Sequence, residues 1–219
     1  MKEKNGMNHK DTDKIISDYK DKFPLYDQFC QTMQNLLTSL LDNGGYKYQI
    51  THRLKSLESL TDKIRKRGKE YRKLDDIHDL AGIRIVFYLE SDKKRFIADL
   101  YKELTPQNLK LTERHKEKGY RATHVIASFG GKRLMLGEYK NFKGLQCEIQ
   151  LTSALYHAWS EIEHDIFYKN DFSHIKQKSE MNKLKKDLEN TMTKYIEKAS
   201  SSFENVAKRV KEIGKMKNA

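Results

Sequence analysis

The sequence predicts a mixed β-sheet packed with helices, in the α+β or α/β class. Three observations predict it. Short apolar runs of strand length recur through the middle of the chain, bounded by Gly, Pro and Asn. Segments with apolar residues at helical spacing lie between them. Long helical stretches, Lys-rich towards the C-terminus, occupy both ends, and no internal repeat is present.

Taken in order, residues 1–11 are polar and expected to be disordered. Asp13 to Leu41 reads as helix, with Phe29, Met33, Leu36, Leu37 and Leu40 near helical spacing. Pro24 is expected to break that run, and Asn43-Gly44-Gly45 stops it. Tyr46 to Thr51 alternates like a short strand. Ser56 to Gly68 is an amphipathic helix with Leu57, Leu60 and Ile64 on one face. Gly82 to Leu89 reads as a buried strand. Asp92 to Leu104 is a helix with Phe96, Ile97, Leu100 and Tyr101 inward, and Pro106 follows its end. Glu113 to His124 reads as a basic loop leading into a strand from Arg121 to Phe129, which Gly130-Gly131 turns. Leu145 to Leu151 is a further strand, Ser153 to Tyr168 a helix, and Ser173 to Ile213 one or two Lys-rich amphipathic helices. The chain divides into an N-terminal helical extension over 1–45, a central domain over 46–170 and a C-terminal helical segment over 171–219.

At 219 residues and roughly 100–200 residues per domain, one catalytic-size domain with helical additions fits. The net charge of +12 favours an anionic partner such as a nucleotide or nucleic acid, although a solvated Lys-rich surface accounts for part of it. Cys30 and Cys147 make no disulfide framework, and Cys147 reads as a buried free thiol. No run is long enough to span a bilayer, and the N-terminal run MKEKNGMNHKDTDK has no apolar signal core, so a cytoplasmic location with no membrane partner is expected.

The run LDDIHDLAGIRIVFY, Leu74 to Tyr88, carries the strongest chemical signal. It sets Asp79 just before a glycine and an apolar strand, and places Arg84 inside that strand, where a cation needs a partner. A second carboxylate, Glu148, lies in the run LQCEIQL. Two such carboxylates with scattered Lys and Arg suit metal-assisted phosphoryl transfer, the carboxylates holding a divalent cation and the cations holding phosphate oxygens. Taken alone, Asp79 could be a helix cap. His78-Asp79 also suggests a phosphohydrolase of the HD type. That needs paired upstream His ligands, and only His52 is present, so it is rejected. Arg53 and Lys55 alternate onto one face beside Ser56, at the N-terminus of a helix that carries Lys63, Arg65 and Lys66, which makes a phosphate cradle. For Arg65 and Lys66 a solvated helix face serves as well. Gly119-Tyr120-Arg121 sits in a basic stretch where Tyr120 could stack on a base, with His124 on the same strand face. Glu148 and Gln150 share a face of their strand. His157, Glu161 and His164 fall on one helix face, but Trp159, Leu155, Ile162 and Ile166 make that helix mainly a packing element.

Five strings occur in order: R-x-K-S (Arg53, Lys55, Ser56), D-x-x-G-x-R (Asp79, Gly82, Arg84), G-Y-R-x-x-H (Gly119, Tyr120, Arg121, His124), E-I-Q (Glu148 to Gln150) and W-x-x-x-E-H (Trp159, Glu163, His164). Over Tyr46 to Lys169 the chain thereby resembles the RelA/SpoT synthetase domain, specifically the small alarmone synthetases, including their toxic branch. The resemblance implies an α+β nucleotidyltransferase-like fold. It implies transfer of the β,γ-diphosphate of ATP to the 3′-hydroxyl of GDP or GTP, giving ppGpp or pppGpp. By position, Arg53 and Arg84 would flank adenine, Lys55, Lys63 and Ser56 would hold the ATP phosphates, and Asp79 and Glu148 would bind Mg²⁺. Glu148 would also act on the 3′-hydroxyl. Tyr120 would stack on the acceptor guanine, and Arg121, His124 and Gln150 would serve the acceptor side. The family's E-I-Q-I-R-T reads Glu-Ile-Gln-Leu-Thr-Ser here, with Thr152 in the arginine position, and the usual proline before the Gly-Tyr motif is absent. This leaves acceptor choice open. A toxin acting on the tRNA 3′ end and a non-catalytic RNA-binding derivative stand as alternatives, with a homo-oligomer and an antitoxin as further partners.

Overall fold

The computed structural model describes residues 9–67, 70–115, 121–167 and 178–216. A five-stranded mixed sheet has the order β1-β2-β5-β4-β3, with β1 at Tyr48–Leu54, β2 at Ala81–Phe87, β3 at Leu109–His115, β4 at Arg121–Ala127 and β5 at Cys147–Ser153. Only the central β2–β5 pair is parallel. The helices are α1 (His9–Asn43), α2 (Leu57–Arg67), α3 (Glu90–Glu103), α4 (Ala154–Phe167), α5 (Lys178–Thr191) and α6 (Glu197–Met216), with a π-turn at Met192–Ile196 joining the last two. The α+β expectation of a mixed sheet flanked by helices, with helical additions at both ends, holds.

The core lies on one face of the sheet. Ile83, Ile85 and Phe87 of β2 and Cys147, Ile149 and Leu151 of β5 alternate onto it. The α1 residues Tyr19, Phe29, Cys30, Met33, Leu37 and Leu41 and the α3 residues Phe96 and Leu100 belong to the same cluster. Edge-to-face rings lock this packing: Tyr46 meets Phe96 at 5.5 Å between ring centres, and Phe29 meets Phe129 at 5.5 Å. The N-terminal helix therefore caps the sheet.

Several expected boundaries shift. Helix α1 starts at His9 and runs through Pro24, so residues 9–11 are helical. Residues 1–8 lie outside the described residues. Pro24 removes one helical hydrogen bond, but it is exposed, so water can serve the freed carbonyl. Strand β1 begins and ends later than expected, because its ladder with β2 runs from Tyr48↔Phe87 to Leu54↔Ala81. Tyr46 drops into the core instead. Strand β3 was not anticipated. The segment Glu113 to His124 holds the end of β3 and the start of β4, and residues 116–120 between them lie outside the described residues, as do 68–69, 168–177 and 217–219. On α4, Trp159 is buried and donates to Leu188 O at 3.0 Å, while Ile162 and Ile166 are exposed, so the helix buries a narrower face than its pattern implies.

Helix α6 docks through polar contacts. Glu197 pairs with Arg121, and the Glu204 carboxylate accepts from Ser91 N at 2.9 Å. Its apolar residues Phe203, Val206, Val210 and Ile213 face solvent. Among the described residues no helix is long and apolar enough to cross a membrane.

Candidate functional site

Sheet register assembles the site. Arg53, Gly82, Glu148, Ile126 and Lys110 stand abreast across all five strands. The next row is Thr51, Arg84, Gln150, His124 and Thr112. Side chains in register share a face, so chemistry far apart in sequence converges on the side of the sheet opposite the core.

Asp79 sits in the turn just before β2, and the end of β1 is tied to that turn. Lys55 N donates to Leu80 O at 2.8 Å, and the buried Tyr19 hydroxyl donates to Lys55 O at 2.8 Å. This fixes Lys55 beside Asp79, with Nζ to Oδ2 at 2.9 Å. Helix α2 is capped by Ser56, whose Oγ accepts from Ser59 N at 3.1 Å. One turn after Ser59 the helix brings Lys63 Nζ to 2.8 Å from Asp79 Oδ1. Burial pushes the Asp79 carboxyl up, but the hydrogen bonds and charges of Lys63 and Lys55 outweigh it and leave it below the ordinary value.

Two cavities open on this face and share Lys55, Ser59, Asp79 and Glu148 as their common wall. The smaller, about 370 Å³, is bounded by Arg53, Gly82, Arg84 and Gln150. The larger, about 770 Å³, is bounded by Lys63, Lys66, Arg67, Tyr71, Lys110 and His124. Both carboxylates thus face one junction between two lobes, each carrying several cations, the larger one also bordered by Asp62, Glu70 and Asp76. Glu148 Oε1 lies 2.9 Å from Nδ1 of the buried His124. Arg84 has partners at two edges: Nε donates to Gln150 Oε1 at 2.9 Å, and Nη1 to Glu161 Oε1 on α4 at 2.7 Å.

Two acidic side chains offer hard oxygen donors, and among the described residues no group of three or more His, Cys, Asp or Glu is arranged to hold a metal ion. A cation here would complete its shell with water and substrate phosphates, the habit of Mg²⁺ in phosphoryl-transfer sites. The donor set fits that ion.

Of the expected site residues, Arg53, Lys55, Ser56, Lys63, Asp79, Arg84, His124, Glu148 and Gln150 line one or both lobes. Arg53 lies within β1 rather than after it, because the ladder extends to Leu54. Arg121 is not brought to either lobe. It alternates with Ala122 and His124 onto the opposite face, and its Nη2 pairs with Glu197 at 2.6 Å. Tyr120 lies outside the described residues. Thr152 follows Gln150 by two but is buried, with its hydroxyl 3.3 Å from Arg121 O, and lines neither lobe. Sequence reasoning missed Lys110, whose signal was the alternation Leu109-Lys110-Leu111. It also missed Glu161 as the partner of Arg84, which no spacing within either segment reveals.

A family model described as "Region found in RelA / SpoT proteins" matches residues 52–173. The GTP pyrophosphokinase YwaC of Bacillus subtilis (strain 168) is 29% identical over 123 residues, covering 53% of this chain and 56% of that protein. The chain spans little more than half the length of the curated relatives it matches. Among solved structures, the small alarmone synthetase 1 of Bacillus subtilis bound to its product pppGpp aligns with a TM-score of 0.67 at 19% identity, covering 90% of this chain and 99% of that one. The same enzyme bound to AMPCPP aligns at 0.63 and 16% identity, with coverage of 90% and 99%. At these identities the likeness is one of fold, and it matches the nucleotidyltransferase-like sheet expected.

Proposed function

The chain belongs to the RelA/SpoT family, and from that premise we propose that it transfers the β,γ-diphosphate of ATP to the 3′-hydroxyl of GDP or GTP. The observation that carries this reading is the junction: Asp79 and Glu148 both border two lobes, and Lys or Arg side chains line each of them. ATP takes the smaller lobe, with Arg53 and Arg84 about the adenine, Lys55 and Ser56 on the phosphates, and Lys63 reaching them across the junction from the larger lobe. The acceptor takes the larger lobe beside His124, with Tyr120 on its base, while Gln150 lines the smaller lobe as the partner of Arg84. The chemistry resides in 46–170. The relative bound to pppGpp supports the acceptor, and the relative bound to AMPCPP supports the donor.

Lys55 and Lys63 hold Asp79 and turn to phosphate oxygens when ATP arrives; Asp79 and Glu148 are the residues that would hold Mg²⁺. Held there, the ion would supply charge neutralisation on the phosphates. The acceptor oxygen attacks the β-phosphorus, the α–β bridging bond breaks, and AMP leaves. Glu148, oriented by His124, takes the hydroxyl proton. Most of the acceleration comes from positioning and fixed charge.

Self-association is part of this reading. Phe203, Val206, Val210 and Ile213 have the spacing of a coiled-coil seam and are exposed, so a second copy of α6 can cover them. The net charge of +12 favours a second acceptor, the tRNA 3′ end, with an antitoxin as its natural partner. A cytoplasmic setting suits either acceptor. The test offers γ-labelled ATP with GDP, GTP and tRNA together in Mg²⁺. Label on guanosine nucleotides supports the first acceptor and label on tRNA the second. Label on neither refutes the proposal.

A further inference from the structure

Arg84 is anchored from two elements that meet only in the folded chain. Gln150, its register partner on β5, takes Nε, and Glu161 on α4 takes Nη1 at 2.7 Å. Both bonds use edges of the guanidinium plane. Edge bonds leave the faces available for stacking, which is how a guanidinium engages an aromatic base. An arginine held at a single edge still swings about its long stem. Anchors from β5 and α4 fix the plane.

Glu161 is poorly placed to serve stability. Its side chain is 53% exposed, and ion pairs this open contribute little to folding. The packing role on α4 belongs to the buried Trp159. The other titratable neighbour, His157, has Nδ1 3.7 Å from Glu161 Oε1. Burial and then the charge of Arg84 hold that imidazole below its ordinary pKa, against the pull of Glu161, so it is neutral at neutral pH. Its neutrality leaves the charge of Glu161 to Arg84.

We infer that Glu161 is a positioning residue for the donor base, setting the plane of Arg84 so that its face meets a purine in the smaller lobe. This inference rests on the donor assignment above. It specifies that Glu161 acts through Arg84 and on the donor alone.

The experiment measures KM for ATP, KM for the acceptor and kcat, together with calorimetric binding of ATP without acceptor. The proteins are wild type, Glu161→Ala, Glu161→Gln, Arg84→Ala and the Glu161→Ala/Arg84→Ala double variant. Releasing one anchored side chain is expected to weaken ATP binding about three- to tenfold, with kcat and acceptor KM unchanged. Glu161→Gln keeps an acceptor oxygen and is expected to fall between wild type and alanine, which also covers a poorly folding alanine variant. In the Arg84→Ala background, Glu161→Ala is expected to change nothing further. Unaltered ATP binding in Glu161→Ala, an equal loss for both substrates, or full additivity in the double variant would overturn the inference. Wild-type protein that neither binds ATP nor transfers label would instead bring down the donor assignment, so the two failures are separable.

Discussion

Replacing Asp79 by Asn removes the carboxylate that lies between two ammonium groups, Lys55 Nζ at 2.9 Å and Lys63 Nζ at 2.8 Å. Left facing each other across the same site in an effective dielectric near 20, two such charges repel by about 2–4 kcal/mol. The lysine side chains are 17% and 25% exposed, so both can turn towards water, and the amide can still accept one bond. The expected loss of stability is therefore about 1–2 kcal/mol. For a chain of this size that lowers Tm by roughly 2–8 °C. Activity is expected to fall far more, by about 10²-fold or beyond, because the same substitution removes a cation ligand at the junction. AMP formation by chromatography and thermal melts by circular dichroism read the two effects. The sign with pH is also defined. The folded Asp79 carboxyl lies below its unfolded value, so its stabilisation is present above that unfolded value and is lost as pH falls through the folded one. The stability gap between wild type and Asp79→Asn should close below roughly pH 4. Retention of more than a tenth of the activity, or a gap that widens in acid, would refute the reasoning.

Glu148→Gln keeps an oxygen facing His124 but not the charge; a drop of about 10²-fold or more in kcat with an unchanged melt is expected, and near-normal turnover would exclude Glu148 from the chemistry. At Gly82 an added Cβ would meet nothing closer than Arg53 O at 3.7 Å. Gly82→Ala should therefore melt normally while its methyl projects into the smaller lobe and raises KM for ATP severalfold, and an unaltered KM would place ATP elsewhere. Cys30 and Cys147 are buried, and burial pushes the Cys30 thiol up to about 11 and that of Cys147 well above its ordinary value. Neither should react with a thiol reagent at mildly alkaline pH until guanidinium chloride is added, and native labelling would contradict the packing of α1 on the sheet.

The convergence of Asp79 and Glu148 was legible because Asp79 just precedes one strand-like run and Glu148 lies within another, and these runs become the central parallel pair. In the fold, Gly82 and Glu148 are register partners, and Asp79 lies three residues upstream. The α1 core stripe was legible for the same reason of period. Strand β3 was not, because Lys110 and Thr112 make its run look like a polar loop, and an edge strand has no second neighbour to demand more apolar residues. Arg121 misled because it stands next to Ala122 on a strand where alternate residues face opposite sides. The tie between Arg84 and Glu161 joins β2 to α4 across 77 positions, a distance that only tertiary structure closes.

The most direct test is the stoichiometry of nucleotide products when ATP is incubated with GTP and Mg²⁺. A site in which both carboxylates serve diphosphate transfer predicts one AMP released for each two phosphates gained by the acceptor. Appearance of ADP with inorganic phosphate, or of no acceptor product at all, would contradict it.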